Sequence, residues 1–191
     1  MSARFKTGAA NRPRVLDMDP LQTLLDHPFH DQHATPCPLG ASGQPAHGEA
    51  LLRAFAGASP AWVDGLMALR NRVVSRLGLK TGPMSPAAAD PATLDLRVGQ
   101  TLGLFRILHT APGCAVIGEN DRHLDFRIVI QHQAPADGPA RLVVGTGVRP
   151  HNLLGWAYLA AVWPAHWVIS KVMVRRVAQA LGGVTRSPLG S

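Results

Sequence analysis

The chain has few of the residues that mark many protein classes. It holds only two cysteines, Cys37 and Cys114, with neither metal-ligand spacing nor the density of a secreted disulfide framework. Both are expected to be reduced thiols of a cytoplasmic protein. Charged residues make up just 16% of the 191 positions while hydrophobic ones reach 46%, which excludes a disordered chain. Basic residues stand at the N-terminus without the apolar core of a secretory signal, so export is not expected. No Gly-rich nucleotide turn follows a strand, no Gly-X-Ser-X-Gly elbow is present, and neither cysteine has the context of a nucleophile. No cofactor is implied.

The longest absence is also the main feature. From Pro150 to Ser170 there is no Asp, Glu, Lys or Arg, yet this run holds three of the four Trp, the only Tyr and two His. A helix drawn through it is apolar on every side, and such a helix is buried in protein or in lipid. About 20 apolar residues suffice to cross a bilayer. Pro164, Asn152, His151 and His166 argue against a span, because each brings a lost donor or a polar group into hydrocarbon. We therefore expect a helix buried in a soluble fold, with lipid contact as the lesser alternative.

The net charge of +7 sits in three clusters, at 1–14, 59–80 and 171–186. Two of them fall near the C-terminal ends of expected helices, where the backbone dipole favours cations. No recognition helix, zinc finger or aromatic RNA motif accompanies them, so nucleic-acid binding is not expected. Attraction to an anionic membrane surface stands as a minor alternative.

Length favours one domain. We place it at 15–182, between a basic tail at 1–14 and a loose tail at 183–191. Asp19 and Pro20 signal a short helix over 21–26. His27, His30 and His33 recur every third residue, but the nearby prolines oppose a helix and no further ligand completes a metal site. An extended strand over 31–39 suits this stretch better. Helices are expected over 45–56 and from Ser59 to Gly78, the second with a core-facing stripe of Trp62, Leu66, Leu69, Val73 and Leu77. Pro83, Pro86 and Pro91 make 80–93 a loop. Strands at about 99–110, 113–118, 123–133 and 140–149 follow with short turns, as in an antiparallel meander. Gly145 and Gly147 thin one face of the last strand, where another group can approach the backbone. The whole reads as α+β, an antiparallel sheet covering a long C-terminal helix, with a helix pair before the meander.

Chemistry has two candidate locations. His123, Asp125 and Arg127 share the polar face of an alternating strand, so His123 and Asp125 could form an acid/base pair if that face lines a cavity, or simply meet water. Arg149, His151 and Asn152 form the entry to the long helix, with Asn152 placed as its N-cap. Within the helix, Tyr158 and His166 share a side, as do Trp156 and Trp163. Tyr158 and His166 are therefore a second candidate proton-transfer pair. Arg127, Arg149, His151, Asn152, Trp156 and Trp163 are candidate ligand contacts.

Three stretches, at 62–81 (WVDGLMALRNRVVSRLGLKT), 119–126 (ENDRHLDF) and 149–166 (RPHNLLGWAYLAAVWPAH), resemble a bacterial family of uncharacterised proteins. That family also occurs fused C-terminally to NAD-dependent epimerase-like domains. Ala165 departs from its pattern, in which a bulky residue often stands. The resemblance assigns no activity. By analogy, the element order is similar to the START-like (SRPBCC-like) helix-grip architecture, which implies an apolar cavity between sheet and helix. The expected function is binding of a small apolar or amphipathic molecule there. An enzyme of cyclase, isomerase or hydrolase type in the same cavity is one alternative, and an interaction or membrane-associated module, homo-oligomers included, is another.

Overall fold

The computed structural model describes residues 19–74 and 94–184; the side chains at 64, 67, 69, 70, 73, 74, 183 and 184 are left aside. The expected tail at 1–14, residues 185–191 and the expected loop over 80–93 lie outside the described residues, while 183 and 184, expected in the C-terminal tail, still belong to the last helix. In chain order the elements are α1 (Pro20–Leu24), β1 (Phe29–Pro36), α2 (Gly48–Gly57), α3 (Ala61–Val74), β2 (Thr101–Leu102), β3 (Phe105–Ala111), β4 (Cys114–Asn120), β5 (Leu124–Gln133), β6 (Arg141–Pro150) and α4 (Leu153–Val184).

The six strands form one antiparallel sheet in the order β1-β6-β5-β4-β3-β2. Strands β2 to β6 are the expected meander, and β1 returns to pair with β6. The stretch at 99–110, expected as one strand, is a hairpin instead. Gly103 at φ 62° turns the chain between β2 and β3, a conformation open to a residue without a Cβ.

Alternation along the strands separates two faces. Ile107, Ile117, Ile128, Ile130, Leu142 and Val144 meet Leu51, Leu52 and Phe55 of α2 and Met173, Val174 and Val177 of α4 in the main core. The opposite face carries Val129 and Val143, covered by Leu21 and Leu24 of α1. There Gly145 admits α1 and Gly147 admits the His27 ring after it, for a Cβ would lie 2.6 Å from Leu24 at the first and 2.9 Å from His27 at the second. Asp19 caps α1, accepting from the Leu21 N–H at 3.1 Å.

The long helix departs from the sequence-based expectation of all-round burial. Its C-terminal half buries Ser170, Met173, Val174, Val177 and Ala178. Its N-terminal half is buried along one line only, through Gly155 and Leu159. Leu153 is 87% exposed, and Trp156, Trp167 and Val168 are each about half exposed. The cause is geometric: α4 packs against α2, β6 and β1, all on one side. In α3, likewise, Val63 is buried while Trp62 and Leu66 of the expected core stripe are exposed. Leu77 of that stripe lies outside the described residues.

Candidate functional site

Strand β1 is an edge, half-buried at every second position. Phe29, Asp31, His33 and Thr35 therefore face α4, while His30 and Gln32 face away. An interval of three along a strand puts His30 and His33 on opposite faces, so the recurring histidines do not converge. Among the described residues no three His, Cys, Asp or Glu side chains are grouped to hold a metal ion.

Over β1, α4 places His166. Its Nε2 lies 3.5 Å from Asp31 Oδ2, and His33 Nε2 lies 3.3 Å from the same oxygen. These are ion-pair distances without hydrogen-bond geometry, and both Asp31 oxygens and His33 Nε2 are buried with no hydrogen-bond partner. Burial opposes ionisation of Asp31, but the imidazoles of His166 and His33 outweigh it and hold the carboxyl below its ordinary value of 3.8. The buried Thr146 lies opposite Asp31 in the β1–β6 register.

Aromatic rings adjoin this polar group. Phe29 meets Trp156 edge-on at 5.1 Å and Trp163 at 5.8 Å, and Trp163 lies 5.6 Å from the His166 ring. Ser170 Oγ is 3.2 Å from His166 Nε2. Serine and carboxylate thus approach the same ring nitrogen, unlike a Ser-His-Asp relay, where they use different nitrogens. What the arrangement offers is a carboxylate beside a proton-carrying ring, in an apolar setting.

The other sequence candidates lie apart from it. Asp125 pairs with His151 Nε2 at 3.1 Å, while the Nδ1 of His123 faces the Asn152 amide at 3.0 Å. Arg127 donates to the Phe126 carbonyl at 2.7 Å and to Asn120 Oδ1 at 2.6 Å, and Arg149 donates to the Asp26 carbonyl at 2.8 Å. Asp125, Arg127 and Arg149 lie on the α1 side of the sheet, as alternation from Val129 and Val143 requires. Asn152 caps α4, accepting from the Gly155 N–H at 3.0 Å. Tyr158 packs in a small cluster with Leu124, Val148 and Leu159, alongside Trp163. Of the candidates, His166 meets Asp31, Trp163 lies against His166 and Phe29, and Trp156 lies against Phe29.

Sequence reasoning missed Asp31 and the role of His33. Their signal was an acid and a histidine two apart in a strand, in phase with Phe29. It also missed His132, buried in β5, which accepts from the Ala46 N–H at Nδ1 (3.0 Å) and so donates from Nε2 to the Cys37 carbonyl (3.0 Å). Cys37 and Cys114 are free and buried, and burial pushes the Cys114 thiol up to about 11. Such thiols are poor nucleophiles. At the outer edge of β1, Thr35, Pro36, Arg175, Ala178 and Gln179 line a shallow groove of about 240 Å³.

Sheet, covering helix and the polar group between them define an α+β domain of helix-grip arrangement. The chain belongs to the family described as "Protein of unknown function (DUF2867)", whose model matches residues 24–173. Among curated proteins the search finds no match.

Proposed function

We propose that the domain binds a small amphipathic molecule between β1 and the N-terminal half of α4. The observation that carries this reading is Asp31, whose two carboxylate oxygens are buried, Oδ2 against the His33 and His166 rings and Oδ1 with no partner, beside aromatic rings. Buried polar atoms are nearly always satisfied, and those that are not tend to meet a ligand, a water or an ion. Apolar walls with a few convergent polar groups are the usual character of small-molecule sites. Phe29, Trp156 and Trp163 would take the apolar part, and Asp31 with His33 would take a hydroxyl or amine donor. The buried thiols suit a reducing cytoplasm.

A second reading is favoured by the 3.5 Å approach of Asp31 to His166, which would let the pair move a proton on a bound substrate. Native mass spectrometry of the freshly purified full chain tests the first reading. A co-purified mass is expected on the wild type and is expected to be lost from Asp31→Asn. A bare-chain mass, with no rise in melting temperature against a panel of fatty acids, sterols and aromatic amines, would overturn it.

A further inference from the structure

The outer side of α4 is a continuous row at helical spacing. Trp156, Ala160, Pro164 and Val168 follow one another every fourth residue, joined by Leu153 and Trp167, and all six are exposed. The row continues into Lys171 and Arg175. Lys171 Nζ lies 3.2 Å over the Trp167 ring, where the basic part begins. No Asp or Glu follows Asp137 in the chain, whereas Arg141, Arg149, Lys171, Arg175, Arg176 and Arg186 do.

We infer that this face of α4 docks on an anionic phospholipid surface, its apolar half among the acyl chains nearest the headgroups and its Lys171–Arg175 half against lipid phosphate. Helices with an apolar face, interfacial tryptophans and flanking bases lie in that plane. A spanning arrangement would uncover the side of α4 that this conformation buries. The Leu153–Gly182 stretch is long and apolar enough to cross a membrane, yet Gly155, Leu159, Met173, Val174 and Val177 are committed to the protein's own core. A second copy of the chain is the poorer occupant, since α4 carries no acidic residue to receive Lys171 and Arg175. The inference does not rest on the small-molecule reading.

Vesicle co-sedimentation of the full chain is the test, with phosphatidylcholine alone set against phosphatidylcholine carrying about 30% phosphatidylserine. The wild type is expected to sediment with the anionic vesicles, and less so as salt is raised. Trp167→Ser combined with Val168→Ser is expected to lower the partition coefficient about tenfold or more. Lys171→Gln combined with Arg175→Gln is expected to lower it by about the same factor and to flatten the salt dependence. Unchanged circular dichroism and melting of both variants would show that the fold is retained. No sedimentation with anionic vesicles at low salt, or equal sedimentation with both lipids, overturns the inference. A concentration-dependent dimer that Trp167→Ser with Val168→Ser abolishes, without vesicle binding, overturns it in favour of a second copy.

Discussion

Gly155, in the first turn of α4, rests against the carbonyl oxygen of His123, and a Cβ built there would overlap that oxygen. The same carbonyl accepts from the His151 N–H at 2.9 Å, so strand end and helix start are joined at one atom. In an open helix, Gly→Ala stabilises by about 0.5–1 kcal/mol. At Gly155 the neighbour is backbone and cannot swing away, so Gly155→Ala is expected to destabilise by about 1–3 kcal/mol. Gly65 in α3, with nothing within 4 Å of its Cβ position, is expected to show the opposite sign. Urea unfolding of the two variants checks this, and stabilisation by both would refute the contact.

Asp31 makes stability depend on acid. Its folded pKa is depressed below the ordinary 3.8, so the unfolded chain binds the proton more readily. The carboxylate's contribution is complete above 3.8 and is lost as pH falls through the lower, folded value. Asp31→Asn is therefore expected to flatten the acid limb of the melting-temperature profile below pH 3.8. An unchanged acid limb would remove Asp31 from its place between His33 and His166.

The two halves of α4 differ in what they bury. Leu153→Ser is expected to change stability by less than about 0.5 kcal/mol, as at other open surface positions. Met173→Ala, in the main core, is expected to cost about 2–5 kcal/mol. Thermal melts that show equal losses for both would mean that the start of the helix is covered.

His132 joins three segments through one ring. Replacing it by alanine strands the Cys37 carbonyl and the Ala46 N–H, at about 1–3 kcal/mol for a buried group left unsatisfied. Faster amide exchange at Ala46 in His132→Ala is the local signature expected, and unaltered protection there would count against the bond.

Much of the architecture was legible. The Asp19–Pro20 start of α1, the order of antiparallel strands β4 to β6 and the two glycines of β6 are local signals that sequence reasoning read correctly. The β2–β3 hairpin was missed because Gly103 lies within a run that otherwise reads as a single strand. The exposure of α4 was missed because uniform apolarity tells nothing about which sides are covered; that is set by the neighbours, here α2, β6 and β1. The site was the least legible part. The spacing of His123 and Asp125 reads as one strand face, but β5 begins only at Leu124, and the Asn152 cap and His151 engage the two side chains separately. Asp31 meets His166 only because β1 lies beneath the middle of α4, a juxtaposition that no local pattern encodes.

The pairing of Phe29 with Val148, at opposite ends of the sequence, bears on how the protein is made. During synthesis β1 leaves the ribosome long before β6, its strand partner among the described residues, exists, and the nascent strand waits as an open edge. Chains terminated prematurely before α4 would leave the sheet's oily side covered by α2 alone among the described helices. Such truncated chains are the forms in which chaperone dependence and aggregation of this protein should concentrate.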